Sequence, residues 1–234
     1  MNAGIWLMNA YVINQEQRVF AVIDGVSSLS TGVQESEAAR TSGARAAELV
    51  KRKLEAVDGK ELLTACLVEA NDALREEMLL AEVDLQKKEY LWGAAAAVVR
   101  VQDEHIDYAQ TGDCMIFAVY ADDAVRPLTY PQVHHLERIA FAKWEEGISQ
   151  GLSTREALIA SCRSILAENR YQANIQGGYG VINGDSACSQ YIEYGKINRT
   201  DLKAMVLLTD GLFMPRAYII QMSLWHWKTV IPNV

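Results

Sequence analysis

Apolar residues along this chain follow two spacings, and the switches between them mark out the elements. Val19 to Ile23 is a short uncharged run rich in β-branched and aromatic residues, the pattern of a strand buried on both faces. Residues 1–13 read as another strand, centred on Ala10-Tyr11-Val12-Ile13. Asn14 to Gln17 supplies the turn, so the two form a hairpin. From about Glu35 to Val57 the spacing becomes helical: Ala39, Gly43, Ala46, Val50, Leu54 and Val57 fall three or four apart. A second helix is expected from Lys60 to Gln86, with Leu63, Leu67, Ala70, Leu74 and Met78 on one face. Glu69, Asp72, Arg75, Glu76 and Glu77 make the other face a solvated one. Three short strands follow, Gly93–Val101, Ile106–Gln110 and Cys114–Tyr120, joined by polar turns as in an antiparallel meander. Helical spacing returns over residues 134–149. It returns again after the capping box Ser153-Thr154-Arg155-Glu156, over Ala157–Ala167. Gly177-Gly178-Tyr179-Gly180 is a loop, and Tyr191–Ile197 and Ala204–Leu208 are the closing strands.

Strands and helices cluster by type and do not alternate, which predicts an α+β fold with mainly antiparallel sheets. No repeat or linker divides the 234 residues, so residues 1–234 are expected to form a single domain. A net charge of −8 argues against nucleic acid as a partner, because no basic excess is present to neutralise phosphates. Cys66, Cys114, Cys162 and Cys188 form no Cys-x-x-Cys pair and are expected to be reduced thiols. No apolar stretch reaches the ~20 residues a membrane span needs. The first residues also lack a basic region of signal-peptide type. A cytoplasmic, non-membrane protein is therefore expected.

Three acids share one context. Asp24-Gly25 and Asp210-Gly211 each follow an apolar run, and Gly112-Asp113 lies between two expected strands. If those strand ends converge, three carboxylates meet, and their mutual repulsion is relieved by a cation. Hard oxygen ligands of this kind suit Mg²⁺ or Mn²⁺.

Four segments in order sharpen this: Val22-Ile23-Asp24-Gly25-Val26-Ser27-Ser28, Tyr108-Ala109-Gln110-Thr111-Gly112-Asp113-Cys114, Gly178-Tyr179-Gly180-Val181-Ile182-Asn183-Gly184, and Leu207-Leu208-Thr209-Asp210-Gly211-Leu212-Phe213. With these the chain resembles the PPM/PP2C family of metal-dependent Ser/Thr protein phosphatases, in its compact bacterial form. The resemblance implies a β-sandwich flanked by helix pairs, with two Mg²⁺ or Mn²⁺ ions in a cleft between the sheets. It also implies hydrolysis of phosphoserine or phosphothreonine in a protein substrate by a metal-bound hydroxide. Asp24 would bridge the metals, Gly25 would offer its carbonyl, Asp210 would be a further ligand carboxylate, and Asp113 would help hold a third ion, with Asp24 and Asp210 the residues catalysis depends on.

The chain also departs from that pattern. Met8 and Asn9 stand where the family has a glutamate and an aspartate, and Glu16 is the only acid before Asp24. No Asp or Glu follows Asp210, and the tail Ser223–Val234 lacks the acid of the family's final strand. The closing helix and strand are thus expected to be missing. His226 among tryptophans is expected to pack rather than to bind metal, and His134-His135 to open a helix. Two readings result: a phosphatase with a thinned site that holds one metal well, or a degenerate phosphatase-fold module that binds without turnover.

Overall fold

The short apolar runs become strands because each has an apolar layer to face on at least one side. The computed structural model describes residues 9–26, 29, 42–209 and 229–232. Among these the strands are β1 (Asn9–Asn14), β2 (Val19–Val26), β3 (Gly93–Val101), β4 (His105–Thr111), β5 (Met115–Tyr120), β6 (Val125–Pro127), β7 (Glu193–Asn198), β8 (Leu202–Leu208) and β9 (Thr229–Pro232). The helices are α1 (Ser42–Glu55), α2 (Leu63–Leu80), α3 (His134–Ser149) and α4 (Arg155–Arg170). One sheet has the order β1-β2-β3-β4-β7 and the other β6-β5-β8-β9, with every pairing of named strands antiparallel. This is the α+β architecture that the clustering of elements predicts.

The alternation of side chains divides the core into two layers. Val19, Ala21 and Ile23 of β2 and Ala94, Ala96 and Val98 of β3 face α1 and α2. Val22 of β2 and Ala95, Ala97 and Val99 of β3 face the other way, against Ile116, Met205 and Leu207 of the second sheet. The helical stripes read from sequence are the buried ones. Gly43, Ala46, Val50 and Leu54 of α1 are buried, as are Leu63, Leu67, Ala70, Leu74 and Met78 of α2. Burying such a leucine contributes roughly 1.5–3 kcal/mol in transfer free energy. Helices α3 and α4 pack chiefly on each other.

Several boundaries differ from the sequence expectation, for local reasons. Helix α2 begins at Leu63 rather than Lys60, because the Asp58 carboxylate accepts hydrogen bonds from the amides of Lys60 and Glu61 and holds them in a turn. It stops at Leu80 rather than Gln86, since Glu82 takes a left-handed φ of 55° that no helix continues through. Strand β2 does not end at Asp24: Gly25 and Val26 pair with Ala94 and Gly93, so the glycine makes no turn. In the tail, where no element is expected, β9 pairs with β8. Residues 35–41 of the first expected helix lie outside the described residues, as does His226.

All four cysteines are buried. Burial pushes the thiols of Cys66 and Cys188 up to about 12, with the Glu61 and Asp185 carboxylates adding to the effect. The folded state therefore favours the protonated thiol. The stability so gained is fully present below the thiol's ordinary value of 9.0 and is lost as pH rises toward about 12. The native protein at pH near 8 is expected to leave Cys66 and Cys188 unmodified by a thiol-selective reagent, while urea-unfolded chain reacts fully. Peptide mapping checks this, and rapid native labelling at either position would contradict the burial.

Candidate functional site

Register alone assembles one end of the sandwich. Asn9 of β1 lies opposite Asp24 of β2, and Asp24 lies opposite Ala95 of β3. Ala96 pairs with Thr111, so the next residue of β4's chain, Gly112, falls beside Ala95, and a Cβ on Gly112 would lie 2.7 Å from the Ala95 methyl. Asn9, Asp24, Ala95 and Gly112 thus form one row across the sheet. Two strand spacings, roughly 10 Å, separate Asp24 from Gly112. Asp24 shares the face of Val22, so its half-buried carboxylate points toward the second sheet. Asn9 shares that face, and its amide donates to the Thr209 hydroxyl at 3.3 Å, just beyond β8. The amide nitrogen being engaged, the Asn9 carbonyl oxygen is the atom it can offer a ligand.

Gly25 is held differently. Ala94 commits both its N–H and its C=O to Ile182, at 2.8 and 3.0 Å. Opposite such a residue Gly25 has no ladder bond to make on that side, so its carbonyl is directed away from β3.

Asp113 sits on the turn from β4 to β5, half-buried, after Gly112 at φ 71°. One side chain fixes this turn. The Gln132 carbonyl oxygen accepts from the Gly112 amide at 3.1 Å and from the Gly180 amide at 2.7 Å, while the Gln132 backbone N–H donates to the Gly112 carbonyl at 3.0 Å. Its amide nitrogen also donates to the Tyr191 carbonyl at 3.4 Å. The buried Gln110 amide donates to the same Gly112 carbonyl at 2.7 Å.

Residues 177–185 reach the site as a packed backbone and not as a phosphate cradle. A Cβ on Gly178 would overlap the Gln172 carbonyl, and one on Gly180 the Tyr191 carbonyl, so these glycines serve close backbone approach. Buried asparagines hold the residues just after them: Asn174 bonds Val181 through both its amide groups, and the Asn71 oxygen accepts from the amides of Asn183 and Gly184 at 3.1 and 2.9 Å. Burial pushes the Tyr179 hydroxyl up, the nearby Arg170 opposes that, and the Asp113 charge adds to it, so these three groups are neighbours.

The structure therefore brings Asp24, Gly25, Asp113 and Asn9 to one edge, beside Thr209. Asp210 and Gly211 follow Thr209 in the chain and lie outside the described residues. The sequence pattern does not single out Gln132 or Arg170, nor the partner role of Thr209, and it marks Tyr179 only as part of the glycine loop. The adjacency of Thr209 to Asp210 is a usable signal for the last, while nothing in the local pattern around Gln132 marks it.

The family model for protein phosphatase 2C matches residues 8–232. No match was found among curated proteins. Among solved structures the chain is similar to PppA, described as a key regulatory component of the T6SS in Pseudomonas aeruginosa, at 12% identity and a TM-score of 0.54, covering 88% of this chain and 71% of that one. It is similar also to the serine/threonine phosphatase Stp1 from Staphylococcus aureus, at 16% identity and TM-score 0.52, covering 90% and 74%. A third is the catalytic domain of the serine threonine protein phosphatase PstP in complex with 2 manganese ions, at 14% identity and TM-score 0.53, covering 91% and 74%. These identities speak to the fold, which agrees with the sandwich described above. With a family model spanning residues 8–232 and the fold to match, the chain belongs to the protein phosphatase 2C family.

Proposed function

We propose that this chain hydrolyses phosphoserine or phosphothreonine in protein substrates at the edge formed by Asn9, Asp24 and Asp113. The observation that carries the reading is the placement of Asp24 and Asn9 on the inter-sheet face beside Thr209, at the same end as Asp113. The donors there are all oxygens (two carboxylates, an amide carbonyl and a backbone carbonyl), which fits a hard divalent cation in kind. Asp24, the Gly25 carbonyl and Asp113 would hold Mg²⁺ or Mn²⁺, with Asp210 joining them. Such an ion, when bound, polarises phosphoryl oxygens and lowers the pKa of water.

The residues themselves do the holding and aiming. Asp24 is mounted between two antiparallel ladders, which fix where its side chain leaves the backbone. Asp113 owes its position to a turn clamped by Gln132. Asn9 supplies a neutral oxygen where an anion would offset more cationic charge.

A second reading, of a phosphatase-fold module that binds without turnover, is favoured by one observation: the residue set directly across from Asp24 is the neutral Asn9, which leaves Asp24 without an anionic partner on β1 for holding a cation. Phosphate release from a phosphothreonine peptide with Mn²⁺ separates the two. The wild-type chain is expected to turn over, and Asp24→Ala to lose at least about 100-fold in kcat/KM, or roughly 2.7 kcal/mol. Equal traces of activity in both would leave the binding module standing.

Asn9→Asp is expected to raise Mn²⁺ affinity about tenfold in a calorimetric titration. Without metal it should destabilise the fold by about 0.5–1 kcal/mol, because it sets a second carboxylate directly across from Asp24. Destabilisation that Mn²⁺ does not reverse would count against a metal at this edge. Gln132→Ala, which frees the Asp113 turn, is expected to lower kcat about tenfold with a smaller effect on KM, and Gln132→Glu, which keeps the acceptor oxygen, to recover part of the loss. An unchanged kcat in the alanine variant would show that the clamp does not matter to turnover.

A further inference from the structure

Gln132 has two sides. One is bonded to the Gly112 amide beside Asp113, and the other is a wall of a cavity of about 380 Å³ that opens to solvent. This is near the lower end of the range for ligand pockets, and ample for a long side chain. Three tyrosines line it, Tyr130, Tyr179 and Tyr191, together with Glu193 and His135. The backbone of the glycine loop, closed down on the Gln172 and Tyr191 carbonyls, forms part of its lining. Tyr130 is 60% exposed and Glu193 lies at the start of β7, so both are open to an incoming group.

The chemistry of this lining selects by charge. Tyrosine faces attract cations, and a carboxylate beside them adds an ion pair. None of the lining residues is Lys or Arg. The guanidinium of Arg170 is engaged with the Tyr179 hydroxyl and is not part of the wall. Asp113 is close enough to act on the same hydroxyl, and the chain as a whole carries a net charge of −8. An anionic side chain entering here would meet Glu193 with no lysine or arginine in the wall to compensate.

We propose that this cavity takes a Lys or Arg side chain of the phosphoprotein, close in sequence to the residue whose phosphate is removed. The proposal rests on the phosphatase reading above. It deepens that reading by giving the site a preference for basic substrates. A phosphoryl group at the Asp24–Asp113 edge places the flanking peptide beside the Gln132 wall, because Gln132 is bonded to the Gly112 amide next to Asp113 and also lines the cavity.

The test uses alanine-based phosphothreonine peptides with Arg placed in turn at each nearby position, and the same peptides with Glu there. With Mn²⁺, one Arg position is expected to exceed the all-alanine peptide in kcat/KM by about tenfold, the size of a desolvated cation–π contact joined to an ion contact. Glu at that position is expected to fall below alanine. Glu193→Gln should shrink the Arg-to-Ala ratio toward unity, and Glu193→Asp should keep part of it. Calorimetric binding of the same peptides to Asp24→Ala supplies the preference without turnover. If no variant turns over but the Arg peptide binds this chain more tightly through Glu193, the phosphatase reading fails and the cavity assignment holds. Equal values for Arg and Ala at every position, or an Arg preference that Glu193→Gln leaves intact, would overturn the assignment.

Discussion

The residues of the site take their positions from the way β3 pairs with its two neighbours. Strand β3 is buried along its whole length and carries Ala94 to Ala97 in its first half. Small side chains there let Ala46 and Ala47 of α1 join the same buried layer on one face. On the other face they let Gly112 approach the Ala95 methyl. A larger residue at Ala95 would push the Asp113 turn away from Asp24. The alanine run is thus a steric requirement that the site places on the sheet.

The pairing also explains how the carboxylates are aimed. Antiparallel register sets Asp24 against Asn9 and directs both between the sheets, because a one-residue slip would turn them toward the helices. The turn bearing Asp113 has no ladder to hold it. Gln132 and Gln110 take that part through bonds to Gly112. Two kinds of support, ladder and side-chain clamp, hold the two acids.

The fold was legible where periodicity governs it. The buried stripes of α1 and α2, the meander β3–β4–β5 and the run of α3 from His134 are all encoded by spacing. Boundaries set by single local bonds were not legible, as the Asx turn at Asp58 and the left-handed Glu82 show. At the site, Asp24 and Asp113 stood out because an acid beside glycine at the end of an apolar run is a visible pattern. Gln132 was invisible because its partners lie 20 and 48 residues away, and no local spacing encodes such bonds. Gly25 shows a related limit: a glycine after an acid is the pattern of a turn, yet here the strand pairs straight through it.

The hydrogen bond from Asn9 to Thr209 joins residues 200 apart. Strand β8, which leads into Thr209, is itself flanked by β9 at residues 229–232. During synthesis the N-terminal hairpin, α1 and α2 emerge long before either partner exists, so the first part of the edge waits through most of translation with its inter-sheet face uncovered. Contacts of such long separation are slow to close and leave apolar surface exposed meanwhile. The edge is therefore completed late in the life of the chain, and a ribosome-bound nascent protein would carry Asp24 in its ladder well before Thr209 reaches Asn9.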